Sequence, residues 1–196
     1  MKSLFVLFLL PSILIAQPPY QQQIAEHRTA YKQAFVEDSH APLDEAGVEK
    51  LAFFPPDSAY RVEAQFERTE DAEPFDMATY SGITKPYVQY GTLTFELHDT
   101  TLQMALYQNL RLIRMPQYRD HLFIPFKDGT NGETTYGGGR YMDVSKKDIK
   151  DGQLGLDFNK AYNPYCAYSD GYNCPIPPAA NHLPVAIEAG ERRYAK

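Results

Sequence analysis

The chain has 196 residues, a formal net charge of −6, and hydrophobic and charged fractions of 43% and 22%. These are globular proportions, which exclude disorder, collagen-like repeats and a multi-span membrane protein. Nineteen basic residues are scattered among 25 acidic ones, with only Lys146-Lys147 and Arg192-Arg193 adjacent, so a nucleic-acid partner, which needs a clustered cationic face, is not expected.

Residues 1–16 read as a secretion signal: Lys2 is the positive end, Leu4 to Leu10 and Ile13 to Ile15 the apolar stretch, and Ala16 the small residue before a cut. Pro11 and Leu14 depart from the ideal pattern. An uncleaved anchor is the alternative, opposed by an apolar run of about eleven residues that is too short for ~30 Å of hydrocarbon. The sequence thus predicts an exported protein, periplasmic or secreted, with one domain over residues 17–196 and no transmembrane segment after signal removal. No cysteine near the cut supports lipid attachment.

In residues 21–37, Ile24, Arg28, Tyr31 and Phe35 recur at spacings of three and four, the period of one helical face. A shorter helical turn is expected around Asp44 to Leu51, and Pro55-Pro56 close the helical region. The period then changes to two. Tyr60, Val62, Ala64 and Phe66 alternate with charged and polar neighbours, as in a half-buried strand. Leu93, Phe95 and Leu97, a polar turn at His98 to Thr101, and Leu102, Met104 and Leu106 predict a hairpin. Further strands are expected at Phe75 to Tyr80, Tyr87 to Tyr90, His121 to Phe126, Tyr141 to Val144, Leu154 to Asn159 and Pro184 to Ala189. With few helices between them, the strands predict a mainly β (α+β) fold, an antiparallel β-barrel or sandwich with an N-terminal amphipathic helix. No internal repeat is present, and the acidic stretch at residues 67–75 is too short to divide the chain.

Two segments are richer in polar and special-conformation residues than packing requires: residues 125–143, with three glycines before Arg140, and residues 157–184, with both cysteines. Phe54-Pro55-Pro56-Asp57, Tyr60-Arg61-Val62, Thr135-Tyr136-Gly137-Gly138-Gly139-Arg140-Tyr141, Asp157-Phe158-Asn159, Ala161-Tyr162-Asn163-Pro164, Cys174-Pro175 and Ala189-Gly190-Glu191 together resemble the bacterial domain-of-unknown-function 1684 (DUF1684) family. The resemblance runs over nearly all of residues 17–196, with Lys127 and Met142 where arginine and leucine are expected. It implies no activity, so each residue is weighed on its chemistry.

Successive glycines let backbone amides converge on an anion, and Arg140 offers a planar fork for carboxylate or phosphate. The alternative is a tight turn whose arginine pairs with an internal carboxylate such as Asp143 or Asp157. Asp128, Thr130, Asn131 and Glu133 present oxygens but fail the EF-hand spacing, which favours an Asx turn around Asp128 over a metal. Cys166 and Cys174 are expected to form a disulfide in an exported chain. A zinc site with His182, or a nucleophilic Cys166 assisted by His182, are the rival readings. Asp157, Asn159, Tyr162 and Asn163 suit a polyol or sugar, or else form a polar network that locks the Pro-rich loop.

The resulting expectation is binding of a small polar or anionic molecule by Tyr136, Gly138, Arg140, Asp157, Asn159, Tyr162 and Asn163, with no cofactor and no metal. The alternatives are a hydrolase-like enzyme using Asp157 or His182 as base with Arg140 as electrostatic stabiliser, and a structural cell-envelope protein.

Overall fold

The computed structural model describes residues 19–195, so the leader expected at residues 1–16 lies outside the described residues. Helix α1 (Tyr20–Glu37) buries Ile24 and Phe35. The same face sends the Arg28 guanidinium to the Phe54 carbonyl at 2.8 Å and the Tyr31 hydroxyl to Glu191 at 3.0 Å. A short helix α2 (Glu45–Glu49) starts at Asp44, whose carboxylate accepts from the Gly47 amide.

Among the described residues, seven strands form one antiparallel sheet: β1 (Arg61–Arg68), β2 (Phe75–Ala78), β3 (Thr84–Leu97), β4 (Thr100–Asn109), β5 (His121–Phe126), β6 (Arg140–Ser145) and β7 (Gln153–Asp157). The order is β6-β5-β4-β3-β1-β7, with β2 added on β3. The sheet curls without pairing β6 to β7, giving a half-barrel rather than two stacked sheets.

Alternation along each strand separates an inner from an outer face. The inner face carries the main core, with Ala64, Leu93, Phe95, Met104, Leu106, Leu122, Ile124, Phe126 and Leu154. The outer face carries a second cluster of Met77, Tyr87, Ala105, Tyr107, Phe123 and Tyr141.

Several expected boundaries shift for definable reasons. Tyr87 to Tyr90 and Leu93 to Leu97 belong to one strand, β3, interrupted by a register shift between Gln89 and Gly91. The extra residue reverses the parity. Before it the odd-numbered Tyr87 faces outward, and after it the odd-numbered Leu93, Phe95 and Leu97 face inward. Residues 184–189 form no strand, because the carbonyls of Ile187 and Ala189 are taken by Arg140 instead of a ladder. Strand β7 stops at Asp157, whose carboxylate caps a 3₁₀ turn over Phe158–Lys160.

Candidate functional site

Residues 162–175 return across the outer face. Tyr162 exchanges backbone hydrogen bonds with Tyr141 at 2.9 and 3.0 Å, and the Tyr80 amide donates to the Cys174 carbonyl at 3.1 Å. The Tyr141 hydroxyl donates to the Pro175 carbonyl. A Cys166–Cys174 disulfide, with Cα atoms 6.2 Å apart, closes this roof on itself. Between roof and sheet lies a cavity of about 540 Å³, within the usual range for small-molecule sites.

Its floor is Tyr87, Phe123 and Tyr141, and Tyr162, Tyr165 and Tyr172 stand around it. Phe123 and Tyr141 meet edge to face with centroids 4.8 Å apart. Lys85 and Arg111 also line the cavity, and among the described residues neither pairs with a carboxylate. Burial lowers the pKa of Lys85, as expected for an ammonium removed from water without a counter-charge.

One polar chain crosses the wall. His121 Nε2 meets Asp143 Oδ1 at 2.8 Å, and the Tyr162 hydroxyl donates to Asp143 Oδ2 at 2.6 Å. His121 Nδ1 is buried without a hydrogen-bond partner. Burial first, then the Asp143 charge, raises the pKa of Tyr162, so this phenol stays a donor.

A second cavity, about 550 Å³, shares Asp143, Tyr162 and Tyr165 with the first and extends along α1 to His27, Asp157 and Lys160. Burial lowers the pKa of His27, with Lys160 adding to the effect. Asp157 Oδ1 is occupied, accepting from the Tyr20 hydroxyl at 2.9 Å and from the Asn159 amide at 3.1 Å.

The residues singled out in the sequence do not gather in one place. Arg140 lies on the inner face at 0% exposure. Its guanidinium pairs with Asp128 Oδ2 at 2.8 Å and donates to the carbonyls of Ile187 and Ala189. The internal carboxylate is therefore Asp128, not Asp143 or Asp157, because alternation along β6 sends Asp143 to the other face. Arg140 is not presented to a ligand from solvent. Asp128 Oδ1 accepts from the Thr130 amide at 2.9 Å and its hydroxyl at 2.5 Å, the expected Asx turn, and both its oxygens are engaged. Among the described residues no group of three or more His, Cys, Asp or Glu is disposed around a common metal position.

The triple glycine answers to packing. Gly139 has φ +96°, and a Cβ there would lie 2.6 Å from the Phe126 carbonyl oxygen, while the Gly138 carbonyl accepts from the Tyr80 hydroxyl at 2.8 Å. Asn159 and Asn163 are 1% and 0% exposed. Asn159 does not leave the core beside Asp157, because the 3₁₀ turn folds it inward to hold the Asp57 amide at 2.9 Å and carbonyl at 2.8 Å. The Asn163 amide donates to Glu191 at 2.9 Å. Tyr136 and Cys166 line a third cavity of about 730 Å³. His182 is exposed, bonds the Pro177 carbonyl at 3.1 Å and lines none of these cavities. Asp157, His182 and Arg140 therefore share no site, and Cys166, bridged, offers no thiolate. Of the expected ligand contacts, only Tyr162 reaches the aromatic cavity. Lys85, Arg111 and His121 escaped sequence reading and Asp143 was read only as a possible partner of Arg140, because nothing in their spacing along the chain shows that they meet.

The fold and site define a class by shape: a β half-barrel braced by an opening helix, with a disulfide-closed roof over an aromatic outer cavity. The family described as "Protein of unknown function (DUF1684)" matches residues 46–192, and the chain belongs to that family. It is also similar to the uncharacterized protein from gene locus rrnAC0354 of Haloarcula marismortui, known from a solution NMR structure. That similarity has 36% identity and a TM-score of 0.68 and covers 88% of this chain and 94% of that one. No curated protein matches the chain.

Proposed function

We propose that the protein is exported and binds a small anionic molecule with an apolar or ring-bearing body in the aromatic cavity. The observation that carries this reading is the pairing of Lys85 and Arg111, cations without carboxylate partners among the described residues, with a floor of Tyr87, Phe123 and Tyr141. A partly desolvated ammonium is stabilised by an incoming anion, and the rings supply contact area and a stacking face for the remainder. His121, held by Asp143, adds a nitrogen at the wall for orienting the ligand's polar end. Export is supported by the leader pattern at residues 1–16 and by the disulfide, a bond suited to an oxidising compartment. No helix among the described residues is long and apolar enough to cross a membrane.

Isothermal titration with octanoate tests the binding. Saturable one-to-one binding is expected, weakened about tenfold or more in Lys85→Met/Arg111→Met, since each charge-assisted bond contributes roughly 1.5–3 kcal/mol. Equal affinity in wild type and variant would remove the reading. Octanamide, isosteric but uncharged, should bind as weakly to the wild type as octanoate does to the variant.

A further inference from the structure

The edge of the sheet that supplies Lys85, Arg111 and Leu112 to the cavity has a surface chemistry of its own. Among the described residues, five of the six large apolar side chains left exposed belong to two segments: Phe75, Tyr80 and Ile83 on β2 and its turn, and Met115 and Tyr118 between β4 and β5. Ile83 is 56% exposed at its turn. The two segments adjoin, because Tyr87 of β3 pairs with Asn109 of β4 and the Leu110 amide donates to the Pro86 carbonyl at 3.0 Å.

Charge is sorted along the same edge. In a chain of net charge −6 with 25 acidic residues, none lies within residues 77–95 or 100–119, whereas Lys85, Arg111, Arg114 and Arg119 do. The three arginines are exposed and make no ion pair among the described residues. The flanking acids do not neutralise them: Asp120 is paired with Lys147 at 3.1 Å, and Asp76, opposite Pro86, points to the other side of β2 from Met77 and its partner Lys85. Exposed rings and aliphatic tips interleaved with arginine are what a lipid headgroup layer accepts, the tips entering the acyl boundary and the guanidinium groups meeting phosphates.

We infer that this edge, formed by residues 75–85 and 110–119, docks the protein on an anionic lipid surface, with the cavity that Lys85 and Arg111 line beside it. Protein interfaces also favour aromatic, Met and Arg groups, so a second copy is the alternative that the sedimentation arm of the test separates from a lipid surface. The inference goes beyond the ligand reading and is testable apart from it, since Ile83, Arg114, Met115 and Arg119 do not line the aromatic cavity.

The test is co-sedimentation of the purified protein with vesicles of phosphatidylglycerol and phosphatidylcholine in equal parts, against phosphatidylcholine alone, at low salt. Preferential binding to the anionic vesicles is expected. Arg114→Gln/Arg119→Gln should weaken it about fivefold per arginine, as should Ile83→Ser/Met115→Ser to a similar degree, both variants keeping wild-type melting temperature and octanoate affinity. Equal or absent binding to the two vesicle types, or variants that bind like wild type, would overturn the inference. So would sedimentation velocity showing a self-associated species lost in Ile83→Ser/Met115→Ser without vesicle binding, which would assign the edge to a second copy.

Discussion

Arg140 and Asp128 form an ion pair with both side chains at 0% exposure. Burial lowers the pKa of Arg140, and Asp128 opposes the shift. Such a pair specifies a conformation more than it adds stability, because two desolvated charges recover little beyond their own cost. Breaking it from one side is different, since the survivor is left charged in the core. Arg140→Met or Asp128→Asn alone should each lose about 3–5 kcal/mol, and the double variant should lose clearly less than the sum. Urea unfolding of the three variants checks this, and additive losses would contradict a coupled pair. Gly190 works at the same scale: with φ +77°, a Cβ there would lie 2.6 Å from the carbonyl oxygens of Phe158 and Ala161. Only glycine lets the chain turn there and deliver Glu191 inward.

Among the elements, the roof over the aromatic cavity depends most on a single covalent link. It has little regular structure, its backbone bonds to the sheet are few, and Cys166 and Cys174 close a short loop within it. Loop-closure entropy for so short a span is worth roughly 2.5 kcal/mol. Cys166→Ala/Cys174→Ala, or reduction, should lower the urea midpoint accordingly and also weaken octanoate binding, because Cys174 and its neighbours Tyr172, Asn173 and Pro175 form one wall. Unchanged affinity after reduction would show that the wall holds without the bridge. Strand β3 carries the other lesson at this scale. Its two apolar stretches were each legible, but a bulge joins them, and single-sequence alternation cannot reveal that two phases belong to one strand.

At the scale of the whole molecule, Glu191 ties distant parts together. Its carboxylate accepts from Tyr31 of α1 at 3.0 Å, from Tyr168 of the roof at 2.7 Å and from the Asn163 amide at 2.9 Å. Burial raises its pKa from the ordinary 4.5 to about 6, against the hydrogen bonds that favour the carboxylate. The folded state therefore holds this proton more tightly than the unfolded state. Its contribution is fully present below about pH 4.5 and is lost as pH rises through about 6, the full cost of ionisation in the interior being about 2 kcal/mol. Relative to Glu191→Gln, which cannot ionise, wild type should lose that amount between pH 4 and pH 7. Denaturant midpoints of both proteins at the two pH values measure it, and a constant difference would mean that Glu191 titrates normally.

Period-two alternation, the helical face of Ile24, Arg28, Tyr31 and Phe35 and the hairpin at His98 to Thr101 were written in local patterns, because burial of a strand or helix face repeats with the backbone geometry itself; the two thiols left a disulfide, a zinc site and a nucleophile open, and the folded loop decided for the bridge. The sequence by itself therefore determined the fold class and the family. The partner of Arg140, the inward turn of Asn159 and the meeting of Lys85, Arg111, His121 and Asp143 were decided only by tertiary structure. Those side chains come from different strands and loops, and nothing in the spacing of one segment encodes which face of a neighbouring strand it will meet.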